Sequence, residues 1–293
     1  MIKIIFDFDN TMGVEGCDVD DGLALLYLLG RSDVKILGIT TTYGNSTIDT
    51  VHNNTIEMFK DLNISHIPLY KGSACKSNRK SEAAEFLAKA AAEHKNEITL
   101  LATGSLTNLY GAYEIDNNFF KNLKQIVLMG GITKPLIING KNLDELNFSC
   151  DPKASLKVLS SGIKVTTLDA HICLQAFFGE KEYERLTNSN IPIYKYINDK
   201  TKYWFNHVMK EFEIKGFYNW DIVSAVYITN PELFEDNFVS IVSTEDDLSR
   251  GYLKISSSPC GYTVNIPSKI KDIDLFNEII FKAWANVNIT KKV

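Results

Sequence analysis

The chain has 293 residues, 45% of them hydrophobic and 23% charged, with 31 basic against 36 acidic side chains and a net charge of -5. A chain of this size buries a substantial core, and its composition excludes fibrous, low-complexity and wholly disordered classes. The mildly acidic balance argues against a nucleic-acid partner, which calls for a basic face.

Residues 2–8 form an apolar run ending in carboxylates, read as a buried strand. Residues 23–29 continue as a helix, too short an apolar run to cross a membrane. Asp7 interrupts the start of the chain before an export-signal core can form, so no signal is expected. Five widely spaced cysteines with no CxxC pair fit reduced thiols and a cytoplasmic protein. Residues 34–42 are a β-branched strand, 47–60 and 81–94 helical, 98–102 a strand, 106–113 a helix, and 125–129 a strand closed by Gly130-Gly131. Asp151-Pro152 is an N-cap with proline in the first turn, and 163–168 is another strand. A long aromatic helix follows residue 191 and ends near 212, and a shorter one starts near Trp220. Residues 238–243 and 252–266 alternate as antiparallel strands, and 272–287 close the chain as a helix. The expected fold is one α/β domain over 1–293: a mostly parallel central sheet, helices on both faces, and a small antiparallel C-terminal addition.

Open α/β sheets carry their sites beyond the carboxyl ends of strands, and the polar clusters fall there. In IIFDFDNTMGVEGCDVDDGLALL, Asp7, Asp9, Glu15, Asp18, Asp20 and Asp21 place six carboxylates within fifteen residues. Packed together they need a counter-charge, and a hard cation with oxygen ligands supplies it. Asp18 also suits a helix cap. GITTTYGNST and LATGSLTNL read either as plain capped turns or as site loops, with the Thr103 carbonyl available to a metal. The glycines of MGG, Met129 to Gly131, imply close approach of a ligand or of another chain segment. In DELNFSCDP, Glu145 and Asn147 share a side if extended and suit a polyol, or else belong to a surface loop. In FYNWDIVSA, Asp221 caps a helix beside a core tryptophan unless it joins the other carboxylates.

Taken in order, these motifs resemble the inosine-uridine-preferring nucleoside hydrolase family, from residue 2 to about residue 225. The resemblance implies Ca²⁺-dependent hydrolysis of the N-glycosidic bond of ribonucleosides to ribose and free base, within nucleoside salvage. By position it implies metal ligation by Asp9, Asp21, the Thr103 carbonyl and Asp221. It also implies that Asp9 deprotonates the attacking water and that Asp20 grips the ribose 2′-hydroxyl. Asn45 belongs to the glycine-asparagine turn beside the aspartates, and Asn139, Glu145 and Asn147 correspond to ribose-binding positions. A homodimer or homotetramer is the assembly it implies. Two departures stand out. Asn10 to Val19 expands a loop that is compact in the family, and Trp220 replaces the histidine that protonates the leaving base in pyrimidine-preferring and nonspecific members. A tryptophan there resembles the purine-specific branch, where stacking assists departure. Tyr203 and His207, four apart on one helical face, are further candidates to protonate the base.

Two other readings make separate demands. DFDNT resembles the opening motif of haloacid-dehalogenase-type phosphatases, with Asp7 as nucleophile, Asp9 as acid-base and Mg²⁺ as metal, but leaves Asp20-Asp21, MGG and NWD without a role. A non-catalytic nucleoside- or ribose-binding protein would bind nucleoside and release no base.

Overall fold

The computed structural model describes residues 1–289. Its main sheet has nine strands in the spatial order Ile255–Ser256, Phe238–Ile241, Tyr262–Asn265, Val165–Leu168, Gln125–Met129, Ile98–Ala102, Ile2–Phe8, Val34–Thr41 and Leu69–Lys71. Pairing is parallel from Leu69–Lys71 across to Tyr262–Asn265, and Phe238–Ile241 runs antiparallel to both of its neighbours. The antiparallel C-terminal strands therefore extend the same sheet. They are shorter than expected, because residues 257–261 leave the ladder as a turn.

The period-two alternation of Ile2–Phe8 divides the core. Ile4, Phe6 and Phe8 join one hydrophobic cluster, which includes Trp284 and the helix Asp20–Leu29, whereas Ile5 joins the other with Leu100, Ile126 and Leu128. Both faces of the first strand are thus covered, which is why it is apolar almost throughout.

The winding reverses at this strand. The chain adds Val34–Thr41 and Leu69–Lys71 on one side of Ile2–Phe8, then crosses to the other side for Ile98–Ala102. The register pairs Asp7 with both Thr40 and Ala102, so Asp9, the Thr42 turn and Thr103 all emerge at one end of the sheet. Such a reversal opens a crevice between diverging loops.

Several short elements lay below the reach of periodicity: Leu69–Lys71, Phe119–Asn122, Asn147–Cys150, Glu180–Thr187 and a hairpin of Leu136–Ile138 with Lys141–Leu143. The hairpin did have a readable signal. Asn139-Gly140 forms its turn with φ of 45° and 77°, the backbone that Asn-Gly supplies in two-residue hairpins.

Candidate active site

The first strand delivers Asp7 and Asp9 to the sheet's carboxyl end, both fully buried. Asp7 Oδ1 accepts hydrogen bonds from Thr40 Oγ1 and from Asn108 Nδ2, the latter at 2.8 Å. Asp9 Oδ2 accepts the Asn45 backbone N–H at 2.5 Å. Glycines permit this enclosure. A Cβ at Gly44 would collide with Asp9 Oδ2, and one at Gly104 would stand 2.9 Å from Asp9 Oδ1. Thr42 and Ser105 close the two turns over Asp9 with a hydroxyl pair 2.6 Å apart. GITTTYGNST and LATGSLTNL are therefore two halves of one cradle.

Two helices begin at this point. Asp20 and Asp21 occupy the first turn of Asp20–Leu29, and Asp221 the first turn of Trp220–Thr229. Helix N-termini favour negative charge, which offsets part of the cost of burying carboxylates there. One ligand oxygen from each of Asp20, Asp21 and Asp221 lies within 4.8 Å of the others. The Asp221 N–H donates to Asp20 Oδ2 at 3.3 Å, and Thr103 Oγ1 donates to Asp21 Oδ1 at 2.6 Å. Asp9 adjoins Asp21. Asp20 joins the metal-like group by distance, so the division between ribose grip and ligand set implied by the resemblance is not drawn by geometry. Thr103 reaches Asp21 through its hydroxyl.

Burial raises all these acids, reinforced at Asp7, Asp20, Asp21 and Asp221 by neighbouring carboxylates. Asp9 is pushed up to about 6, Asp7 and Asp20 to about 7, and Asp21 and Asp221 well above the ordinary carboxylate range. Among the described residues none of the five forms an ion pair, and Asp7 Oδ2, Asp9 Oδ1 and Asp21 Oδ2 are buried without hydrogen-bond partners. Crowded anionic oxygens with unpartnered atoms fit a hard divalent cation.

The expanded loop folds back compactly. Thr11 Oγ1 donates to the Asp18 carbonyl at 2.8 Å, and Tyr203 Oη accepts the Gly13 N–H at 3.2 Å and donates to the Cys17 carbonyl at 3.0 Å. Glu15 stays exposed, outside the carboxylate group, and Asp18 reaches the cleft.

Above the carboxylates lies a cleft of about 640 Å³, open to solvent. Asn45, Thr103, Glu145, Asn147 and Trp220 line it with Asp20 and Asp221, and Met129, Leu136, Leu143 and Leu146 form an apolar wall. Glu145 turns its carboxylate onto the backbone N–H groups of Gly131, Phe148 and Ser149, at 2.9–3.1 Å. The Asn147 amide donates to the Met129 carbonyl at 3.0 Å. At the MGG motif the close neighbours are chain segments: the Phe148 ring at Gly130, and Leu253 with Phe148 at Gly131. Trp220 stands in the cleft wall, its ring 5.3 Å from that of Tyr218.

Three residues expected at the site lie elsewhere. Asn139 sits in the exposed hairpin turn, and its amide donates to the Phe212 carbonyl at 2.8 Å, tying the hairpin to the end of the helix Pro192–Phe212. Tyr203 is held by the Gly13–Cys17 loop, and His207 is exposed and stacked on Trp204 at 5.0 Å. None of the three lines the cleft. Helical spacing put Tyr203 and His207 on one face, but which face meets the cleft is a tertiary matter. The phosphatase reading also fails, since Asp7 is sealed beneath Thr40 and Asn108 and unavailable as a nucleophile.

Other supporting residues were not singled out from sequence. Asn108 bridges Asp7, the Thr41 carbonyl at 2.9 Å and the Ser73 N–H at 3.0 Å. Asp151, read only as a cap, also holds Arg79 and accepts from Thr107 Oγ1, which meets Tyr43 Oη at 3.0 Å. Tyr43 adjoins the Gly44-Asn45 turn over Asp9. The position of Asn108 in LATGSLTNL was a local hint, and the Arg79 partnership had none.

The profile of the inosine-uridine preferring nucleoside hydrolase family matches residues 4–291. Uridine nucleosidase 1 of Arabidopsis thaliana is 29% identical over 260 residues, covering 79% of this chain and 75% of that protein. Pyrimidine-specific ribonucleoside hydrolase RihA of Shewanella oneidensis is 26% identical over 262 residues, covering 79% of this chain and 81% of its own. Among solved structures, a purine-preferring ribonucleoside hydrolase from Gardnerella vaginalis superposes with a TM-score of 0.85 at 21% identity, covering 97% of this chain and 98% of that one.

Proposed function

The chain belongs to the inosine-uridine preferring nucleoside hydrolase family, and we propose that it hydrolyses the N-glycosidic bond of ribonucleosides, with a divalent cation, Ca²⁺, and a preference for purine bases. The observation that carries this reading is the group Asp20, Asp21 and Asp221, of which Asp20 and Asp221 line an apolar-walled cleft, with unpartnered oxygens on the buried Asp9 and Asp21. These four carboxylates would hold the cation, with Thr103 beside them. When bound, it supplies Lewis acidity toward water and toward the ribose diol.

The remaining chemistry belongs to the chain's own groups. Asp9 Oδ1 is the free acceptor for the proton of the attacking water, and the Asn45 N–H holds the other oxygen in place. Asp20 accepts the 2′-hydroxyl, and Asn147, anchored on Met129, orients the sugar. Glu145 braces the turn that presents Asn147. The anionic floor favours the positive charge that develops on ribose as the bond to the base lengthens. Trp220 offers the base a stacking surface, which supports the purine preference.

Five free thiols suit a reducing, cytoplasmic setting. Among the described residues no helix is long and apolar enough to cross a membrane. A small nucleoside is the partner the cleft fits, and the dimeric or tetrameric assembly is proposed with the function. The test is ribose and free-base release from inosine and uridine, before chelation, after it and after Ca²⁺ is restored. Activity lost and restored, with inosine favoured, is expected. Full activity after verified metal removal would overturn the metal-dependent mechanism.

A further inference from the structure

The expanded loop, residues 10–19, has no role in the chemistry proposed above. From Gly13 to Cys17 no side chain is buried, and Gly13 and Gly16 take left-handed backbones with φ of 96° and 82°. Two turns shape it, with the Val14 N–H on the Thr11 carbonyl at 2.8 Å and the Cys17 N–H on the Val14 carbonyl at 3.1 Å. Its ends are pinned, by Thr11 Oγ1 on the Asp18 carbonyl at 2.8 Å and by the Asn54 amide on the Met12 carbonyl at 3.2 Å. The Cys17 thiol, a weak donor, adds a 3.8 Å contact with the Asn45 carbonyl. A segment with so little apolar burial has little of its own to hold it in one conformation.

Tyr203 holds its middle, from a helix 190 residues further along the chain. The hydroxyl accepts the Gly13 N–H at 3.2 Å and donates to the Cys17 carbonyl at 3.0 Å, so one group ties both arms of the loop. One turn earlier on the same helix, the Lys200 stem covers Gly13, where a Cβ would stand 2.7 Å from Lys200 Cδ.

The loop so held presents Asp18, which alone among residues 10–19 lines the cleft. Asp18 Oδ1 accepts the N–H of its own neighbour Val19 at 2.7 Å, and its second oxygen has no amide or alcohol donor among the described residues. Asp18 stands against Asp20. Adjacent carboxylates repel, so a free loop would carry Asp18 outward. A fixed loop keeps an open acceptor beside the residue that takes the ribose 2′-hydroxyl.

Resting on the hydrolase reading, we infer that Tyr203 is a positioning residue, which fixes the expanded loop so that Asp18 accepts a hydrogen bond from the bound nucleoside. Tyr203 itself touches no substrate and acts through the backbone of residues 13–17.

The experiment is a double-mutant cycle on the metal-saturated enzyme with inosine and uridine, using Tyr203→Phe, Asp18→Ala and the two together. Asp18→Ala should lower kcat/KM by about tenfold or more, the worth of a hydrogen bond to a charged acceptor. The loss should lie mainly in KM, because the contact is made to bound substrate as well as to the transition state. Tyr203→Phe keeps the ring, removes only the hydroxyl and should cost about fivefold in kcat/KM. In the double variant it should add less than about twofold, since the loop then has no carboxylate to present. Exposed Glu15 supplies a local readout that does not depend on activity. Cleavage after Glu15 by a glutamate-specific protease should quicken at least about threefold in Tyr203→Phe, ahead of any change at other glutamates. Asp18→Ala within about twofold of wild type, or losses that multiply in the double variant, would overturn this inference and leave the hydrolase reading intact. So would cleavage after Glu15 that is no faster in Tyr203→Phe, or that quickens equally at every glutamate. A wild type that turns over neither nucleoside would overturn both.

Discussion

Replacing Asp151 with alanine tests whether a buried ion pair outside the cleft supports the Asp9 cradle. The Asp151 side chain is 1% exposed and that of Arg79 14%. Arg79 Nη2 donates to both carboxylate oxygens at 2.8 and 2.9 Å, Ala154 N–H to Oδ1 at 3.1 Å, and Thr107 Oγ1 to Oδ2 at 3.0 Å. Loss of the N-cap alone costs about 1 kcal/mol. Leaving a buried charge without its partner costs about 3–5 kcal/mol. The Arg79 guanidinium keeps the face of Tyr110, 4.6 Å away, and a little solvent contact, which places the sum near the low end, about 4 kcal/mol. That is a large share of the roughly 5–15 kcal/mol that holds a typical domain folded. Urea unfolding at neutral pH measures it. The double variant Arg79→Met with Asp151→Ala removes the stranded charge, and should recover all but about 1–2 kcal/mol. Because Thr107 links Asp151 to Tyr43 beside the Asn45 turn, the single variant should also lose turnover with its metal site filled. A single variant within about 1 kcal/mol of wild type, or a double variant no more stable than the single, would refute the reasoning.

Asp9→Asn should reduce turnover of inosine by at least about a hundredfold at full metal occupancy, with nucleoside affinity less affected. Rapid kinetics with metal analysis decides it, and near-normal turnover excludes Asp9 as the proton acceptor. Asp7→Asn should alter the pH dependence of stability in the metal-free protein. Burial pushes Asp7 up to about 7 from an ordinary 3.8, so its protonated form is the one favoured by folding, and wild type loses stability as pH rises through that window. The variant lacks this loss, so its stability relative to wild type should grow by roughly 2–3 kcal/mol from about pH 5 to about pH 8, and a flat difference in urea unfolding would refute the shift. Trp220→Ala should lower kcat/KM for inosine more than for 4-nitrophenyl β-riboside, whose leaving group needs no assistance. An equal loss on both would make Trp220 a packing residue.

The alternation of buried strands and amphipathic helices was legible locally, because apolar periodicity and caps such as Thr47, Ser81 and Asp151 act within a few residues. So was the acidity of the first loop: Asp7, Asp9, Asp20 and Asp21 stand close in sequence around a strand end and a helix start, and burial there demands a counter-charge. The resemblance, through motifs in order, added Asp221 to them from two hundred residues away. Tertiary structure alone decided the rest. The resemblance put Asn139 at a ribose-binding position, but Asn139-Gly140 makes a tight turn whose tip docks on the long helix. Tyr203 and His207 shared a helical face, and the rotation of that helix placed one on the Gly13–Cys17 loop and left the other in solvent. Arg79, Thr107 and Asn108 became supports of the site only through contacts across the fold. Periodicity and capping report a residue's nearest neighbours along the chain, whereas a site is set by which loops the crossing of the sheet brings together, and that depends on the packing of both cores at once.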